Sequence, residues 1–153
     1  MKKIKKYHGV VIPMITPFTE SGRLDEEAAI RITDHVVEAG TYPFLLGTTG
    51  ESASIPLETR FQLVKCVTKH LKNRSFIYAG ISNNCFEHSI TTAKSYHDLG
   101  VNALVAHLPS YYPLIPDHIL KYFELLAERS PGPIVIYNIL GTTHMSIPLT
   151  VVE

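Results

Sequence analysis

Cysteine is scarce: Cys66 and Cys85 are the only two in 153 residues. Two thiols so far apart supply neither a disulfide framework nor a zinc site. Cys66 falls in a helical pattern and reads as a small core residue. Charge of either sign has no surplus, because fourteen basic and fourteen acidic residues cancel. Without a basic excess, binding to nucleic acid or to a membrane surface is not expected. The lysines that do cluster, Lys2, Lys3, Lys5 and Lys6, read as a solvated N-terminal arm. Long hydrophobic runs are missing as well, and nothing approaches the length of a membrane span. The apolar run from Gly9 to Ile15 is short, holds Pro13 and meets Thr16-Pro17-Phe18, not a small-residue cleavage site. The expected location is cytoplasmic. His107 and His144 have no Cys, Asp or Glu at metal-ligand spacing, so no metal or other cofactor is expected.

What is present is a core. Apolar residues make up 45% and charged residues 18%, which suits one core-rich α/β domain with no internal boundary across residues 1–153. β-Branched and apolar runs at Gly9 to Ile15, Tyr42 to Leu46, Ser75 to Ala79, Asn102 to Ala106 and Pro133 to Tyr137 read as strands. Helical patterns fill the intervals. Asp25 is the expected N-cap of the first, with Glu26 and Glu27 in its first turn and Ala28, Ile32, Val36 and Ala39 inward. The second opens at Pro56, with Leu57, Phe61, Val64, Val67 and Leu71 inward. Asn84 and Glu87 have capping-box spacing before the third, which continues through Ile90, Ala93 and His97. Asp117 opens the fourth, with Ile119, Phe123 and Leu126 inward, and a fifth starts near Pro148. Strict alternation with apolar strands demands a parallel sheet covered by helices. Two architectures fit: a five-stranded doubly wound, flavodoxin-like sheet, or the first five βα units of a (β/α)₈ TIM barrel. Length alone favours the first.

Polar residues gather at the strand ends. Thr16 follows strand one, Thr48 and Thr49 follow strand two, and Ser82 and Asn83 follow strand three. Tyr111 and Tyr112 follow strand four; Tyr137 and Asn138 close strand five. In a parallel sheet these ends share one rim, where both candidate folds carry their sites. Gly47 and Gly50 bracket the two threonines and are expected to let the backbone turn sharply and approach a ligand. The N–H groups between them suit an anion such as a carboxylate. An ordinary βα turn explains the same stretch. The phosphate-loop alternative lacks a following Lys-Ser/Thr.

Gly47-Thr48-Thr49-Gly50-Glu51-Ser52, Pro109-Ser110-Tyr111-Tyr112-Pro113 and Tyr137-Asn138 resemble, in order and spacing, the dihydrodipicolinate synthase/N-acetylneuraminate lyase family. The opening strand through Thr16-Pro17-Phe18 is similar too. The resemblance implies the barrel, and a class I lyase or aldolase working through a Schiff base with pyruvate or a related 2-oxo acid. It implies that Thr48 and Thr49 hold the keto acid's carboxylate. Tyr137 would transfer protons, and Tyr111 would cross a subunit interface to join Thr48 and Tyr137 in a hydroxyl relay. Homodimers or homotetramers follow from the same resemblance.

The chain departs from the pattern in one decisive respect. The family's imine-forming lysine lies one βα unit beyond Tyr137, about 30 residues on, whereas Glu153 is sixteen residues past it. Of the nine lysines, four lie in the terminal arm; Lys65, Lys69, Lys72, Lys94 and Lys121 fall in helical patterns. A nucleophilic lysine must be desolvated or charge-coupled, and exposed helix lysines are neither. The expectation is the N-terminal portion of a longer enzyme, or the product of a premature stop; the alternative is a catalytically inactive carboxylate-binding fragment or pseudoenzyme. The stretch Leu140-Gly141-Thr142-Thr143-His144 lacks the arginine usual in dihydrodipicolinate synthases. His144 and His107, with Thr142, are the candidates for recognising the distal part of a substrate, although a packed or rim histidine also explains His107.

Overall fold

The computed structural model describes residues 7–152; the N-terminal lysines and Glu153 lie outside them. Five strands form one parallel sheet: β1 (Val11–Pro13), β2 (Tyr42–Leu45), β3 (Tyr78–Gly80), β4 (Ala103–Ala106) and β5 (Ile134–Ile136). Between them run α1 (Glu26–Glu38), α2 (Leu57–Leu71), α3 (Phe86–Asp98) and α4 (Pro116–Arg129). A short α5 (Leu140–Thr143) follows β5. Each strand pairs with its neighbour in sequence, in the order β1-β2-β3-β4-β5. A doubly wound sheet must reverse its strand order at a switch point. The flavodoxin-like alternative is therefore excluded, and the barrel order stands.

The register divides the sheet into two faces. Pro13, Phe44, Tyr78 and Ala103 stand in one row across four strands, and Gly80, Val105 and Val135 form the next. Phe44, Tyr78, Ala103 and Val105 are buried there with Val11, Tyr42, Phe76, Val135 and Tyr137 against them, making a distinct inner cluster. The opposite face carries Leu45, Ala79, Leu104 and Ala106, packed under the helices with Ala29, Leu63, Val67, Ala93 and Leu126. Burying both faces explains why the strands read as unbroken apolar runs. Burial also raises the Tyr78 phenol above its ordinary value. Pro13, which cannot donate to a ladder, stands in the first strand of the described order, at its last residue.

Asp25 caps α1, its Oδ1 accepting from the Ala28 N–H at 2.9 Å. Several local expectations give way to packing. The inward stripe of α1 is Ala29, Thr33 and Val36, so that of the residues expected inward only Val36 is buried. On α2 it is Leu63, Val64, Val67 and Leu71, which leaves Leu57 and Phe61 exposed over a groove against Thr91 and Tyr96 of α3. Cys66 is only half-buried; its thiol faces the Glu26 carbonyl, and burial raises it above its usual range. The capping box before α3 does not form. Cys85 takes the N-cap position, Glu87 is drawn to Arg129 by two contacts of 2.6 and 2.7 Å, and Asn84 serves a neighbouring loop. Tyr96, not His97, is the buried residue of the last turn. The third strand begins at Tyr78 because the Ile77 N–H donates to the Asn102 side chain. Gly141 lies inside α5, and Leu149–Val151 forms a 3₁₀ turn.

Candidate active site

The loop after β2 turns in an unexpected way. Gly47 and Gly50 do not carry its positive backbone angles; Leu46 (φ 58°) and Glu51 (φ 52°) do. A bulky residue in that region is strained, and such strain gathers at functional sites. The two glycines are needed for space instead. A Cβ on Gly47 would stand 2.8 Å from the Phe44 ring, and one on Gly50 would stand 2.9 Å from the Met14 carbonyl oxygen. These close approaches are to the Phe44 ring of the inner cluster and to the Met14 backbone after β1. Thr16 secures the loop from the end of β1, its hydroxyl donating to the Gly50 carbonyl at 2.8 Å.

Thr48 and Thr49 are left exposed at the crest of this loop. Among the described residues, the N–H groups of Thr48, Thr49 and Gly50 donate to no protein acceptor. Three successive free donors at a strand's carboxyl end can receive an oxyanion.

Above the carboxyl ends of β2, β4 and β5 lies a cleft of about 300 Å³, which gathers Thr48, Glu51, His107, Ser110 and Thr142. Tyr137 opens elsewhere, onto an apolar groove of about 240 Å³ on the inner face, beside Phe44, Tyr78 and Val135. Phe44 joins the two regions: its ring borders Gly47 and meets the Tyr137 ring edge-on, with centroids 6.2 Å apart. Tyr111 lines neither cavity. It is 75% exposed on the loop before α4, edge-on to Tyr112. His144 is also outside both, exposed at the end of α5 with φ 57°.

Two residues position the loops of the rim. Asn84 accepts from the N–H groups of Ser110 and Tyr111 at 2.9 and 3.3 Å, holding the loop that bears both tyrosines. Ser82 accepts from the His107 N–H at 2.8 Å. For Ser82 its place among the polar strand-end residues was the signal available, whereas Asn84 read as a capping residue of the third helix. His107 Nδ1 faces the Leu108 carbonyl oxygen at 2.7 Å and must carry a hydrogen, leaving Nε2 as the acceptor when the ring is neutral. Behind it, Tyr122 reaches the His107 carbonyl at 3.5 Å, and burial pushes its phenol up to about 12. Phe44 carries no motif of its own, and Glu51, although inside the Gly47–Ser52 motif, had no role assigned from sequence.

A family model described as the dihydrodipicolinate synthetase family matches residues 6–153. The chain belongs to the dihydrodipicolinate synthetase family. Among relatives, an uncharacterized DapA-like lyase of Thermofilum pendens is 31% identical over 145 residues, covering 94% of this chain and 48% of that protein. The 4-hydroxy-tetrahydrodipicolinate synthase of Synechococcus elongatus is 33% identical over 140 residues, with coverage of 90% and 47%. Among solved structures, the dihydrodipicolinate synthase of Acinetobacter baumannii complexed with pyruvate is 25% identical, with a TM-score of 0.89 over 94% of this chain and 50% of that one. The chain spans about half the length of the curated relatives it matches. In dihydrodipicolinate synthetase terms, the described sheet is the N-terminal part of the family barrel. Each described lysine of this family member is exposed, on α2, α3 or α4 or at the end of α2. Among the described residues no group of three or more His, Cys, Asp or Glu could hold a metal, and no helix is long and apolar enough to cross a membrane.

Proposed function

We propose that this chain supplies the carboxylate-binding and proton-transfer half of a lyase or aldolase that works through a Schiff base with pyruvate or a related 2-oxo acid. The observation that carries the reading is the convergence of the Thr48 loop and Tyr137 on Phe44, one aromatic ring set between them. The free N–H groups after Gly47 and the Thr48 and Thr49 hydroxyls receive the carboxylate. A lysine outside these 153 residues adds to the keto carbon and water leaves. The Tyr137 hydroxyl gives and takes the protons of those steps and of carbon–carbon bond making or breaking. That hydroxyl has no hydrogen-bond partner among the described residues, so it is free for the task. Tyr111 completes the relay from a second subunit, which its exposure permits. The working enzyme is a cytoplasmic homodimer or homotetramer.

A second reading is favoured by the absence of any strand-end lysine among the described residues: a carboxylate-binding fragment without catalysis. Borohydride reduction in the presence of pyruvate separates the two. A longer form carrying the remaining strands should gain a covalent adduct on a lysine outside residues 1–153. An unmodified longer form would defeat the Schiff-base reading, and calorimetric binding of pyruvate would then leave the second in place.

A further inference from the structure

Of the two methionines among the described residues, Met14 is buried in the core and Met145 is partly exposed just after α5. The Met145 sulfur accepts a hydrogen bond from the Leu114 N–H at 3.0 Å, across 31 residues of sequence. Its own loop is fixed on both sides. The buried Thr143 hydroxyl donates to the Met145 carbonyl at 3.0 Å, and the Ile147 N–H donates to the Asn138 side chain at 3.2 Å. The segment that the sulfur holds is the loop between β4 and α4. Asn84 fastens that loop at Ser110 and Tyr111, and Met145 fastens it at Leu114. Exposed Tyr111 and Tyr112 hang between the two anchors, beside Pro113, which has no N–H to offer. A thioether is a weak acceptor, so the second anchor is the weaker one. It is also the one open to chemistry. His144 and Ser146, on either side of Met145, are exposed, so a small oxidant reaches the sulfur, whereas Met14 is 3% exposed and shielded.

We propose that Met145 is a site of reversible oxidation by a peroxide, and that its sulfoxide releases the loop bearing Tyr111 and Tyr112. A lone pair of the sulfur attacks one peroxide oxygen and the O–O bond breaks. The departing hydroxide takes up a proton and leaves as water. Sulfur loses two electrons and the peroxide gains them. An oxygen added on the side of Leu114 has no space, because a hydrogen-bonded pair leaves no room for a further heavy atom between its members. Added on any other side, it leaves an electron-poor sulfur that no longer holds the N–H. Thr143 and Asn138 fix the methionine's loop, so the displacement falls on Leu114 and the two tyrosines. Methionine sulfoxide reductases regenerate the thioether and with it the anchor. What the release does to turnover rests on the reading of Tyr111 above; the oxidation site and the release do not.

Hydrogen peroxide is the probe. Peptide mapping of the treated protein should show one added oxygen on Met145 before any on Met14. Amide exchange at Leu114 should then quicken about fivefold, the factor that one lost hydrogen bond of ordinary strength gives. Treatment with the reductases should restore the original rate. Met145→Leu should exchange quickly at Leu114 from the outset and show no further change with peroxide, while unchanged protection along β3 reports that the variant is folded. That variant retains Cys66 and Cys85, so an effect of peroxide through the thiols would appear there and overturn the assignment to Met145. Met145 left unmodified while free methionine in the same solution is oxidised would overturn the site. Oxidised Met145 with unchanged exchange at Leu114 would overturn the release. Neither readout involves a keto acid, so failure here leaves the Schiff-base reading standing, and failure of pyruvate to bind leaves this one.

Discussion

The Phe44 ring meets the Tyr137 ring at 80°, with centroids 6.2 Å apart. The same ring lies where a Cβ on Gly47 would fall, 2.8 Å from its Cε1. One side chain of the inner layer thus ties the position of the proposed proton carrier to the loop that bears Thr48.

Gly47→Ala should show this coupling directly. The added methyl must displace Phe44, and overpacking of a filled core costs about 1–3 kcal/mol. Urea denaturation should report that loss, while Gly141→Ala, whose Cβ would meet nothing within 4 Å, serves as the control. Equal stability of the two variants would show that Phe44 yields freely.

Tyr137→Phe separates structure from chemistry. The edge-on contact with Phe44 is retained and no described hydrogen bond is lost, so stability should change by less than about 0.5 kcal/mol. In the longer, imine-forming protein, turnover should fall about 10²- to 10⁴-fold, the range for a lost general acid–base group. Unchanged turnover would remove Tyr137 from the proton path.

Asn84→Ala leaves the N–H groups of Ser110 and Tyr111 without their acceptor. Each bond of this kind contributes about 1 kcal/mol. Hydrogen exchange should quicken at those two amides and remain unchanged along β3. Uniform protection in the variant would show that the tyrosine loop is held by other means.

Lys72 closes α2 with φ 45°, and its N–H donates to the Thr68 carbonyl at 3.1 Å. A left-handed C-cap favours glycine, so Lys72→Gly should raise stability by about 0.5–1 kcal/mol in thermal denaturation. A lower melting temperature would mean that the lysine side chain contributes more than the backbone strain costs.

Acid should loosen the seam between α1 and α2. His70 Nε2 lies 2.8 and 2.9 Å from the two Asp34 oxygens, and Arg74 lies 3.3 Å from one of them. The His70 hydrogen bond is the main reason the Asp34 carboxyl sits below its ordinary value of 3.8. A carboxyl depressed in the folded state stabilises above its unfolded pKa, and that contribution vanishes as pH falls through the folded value. The stability difference between the wild type and Asp34→Asn should therefore be full at pH 6 and shrink below about pH 4. A difference independent of pH would assign it to packing alone.

The reach of sequence reasoning here follows the range of the forces involved. Alternating helical and β-branched patterns, the Asp25 cap and the polar strand ends are local, and each formed as its residues dictate. Asn84 and Glu87 had a plausible local partnership too, but lost it to Ser110, Tyr111 and Arg129, which are distant in sequence. Leu57 and Phe61 satisfied the period of α2 yet stayed exposed, because the angle at which the helix lies on the sheet selects the buried stripe.

The sequence by itself determined a parallel α/β sheet and the set of hydroxyl residues at its carboxyl rim, because side-chain period and strand direction are written in neighbouring residues. Periodicity left open whether the strands follow one another without a switch point; the motif resemblance implied the barrel order, and the tertiary structure shows it. Tertiary structure alone decided that Phe44 couples Gly47 to Tyr137, and that Leu46 and Glu51 bear the strained angles. Those outcomes depend on how the curving sheet brings side chains of separate strands into one layer, and no local stretch of the chain encodes that.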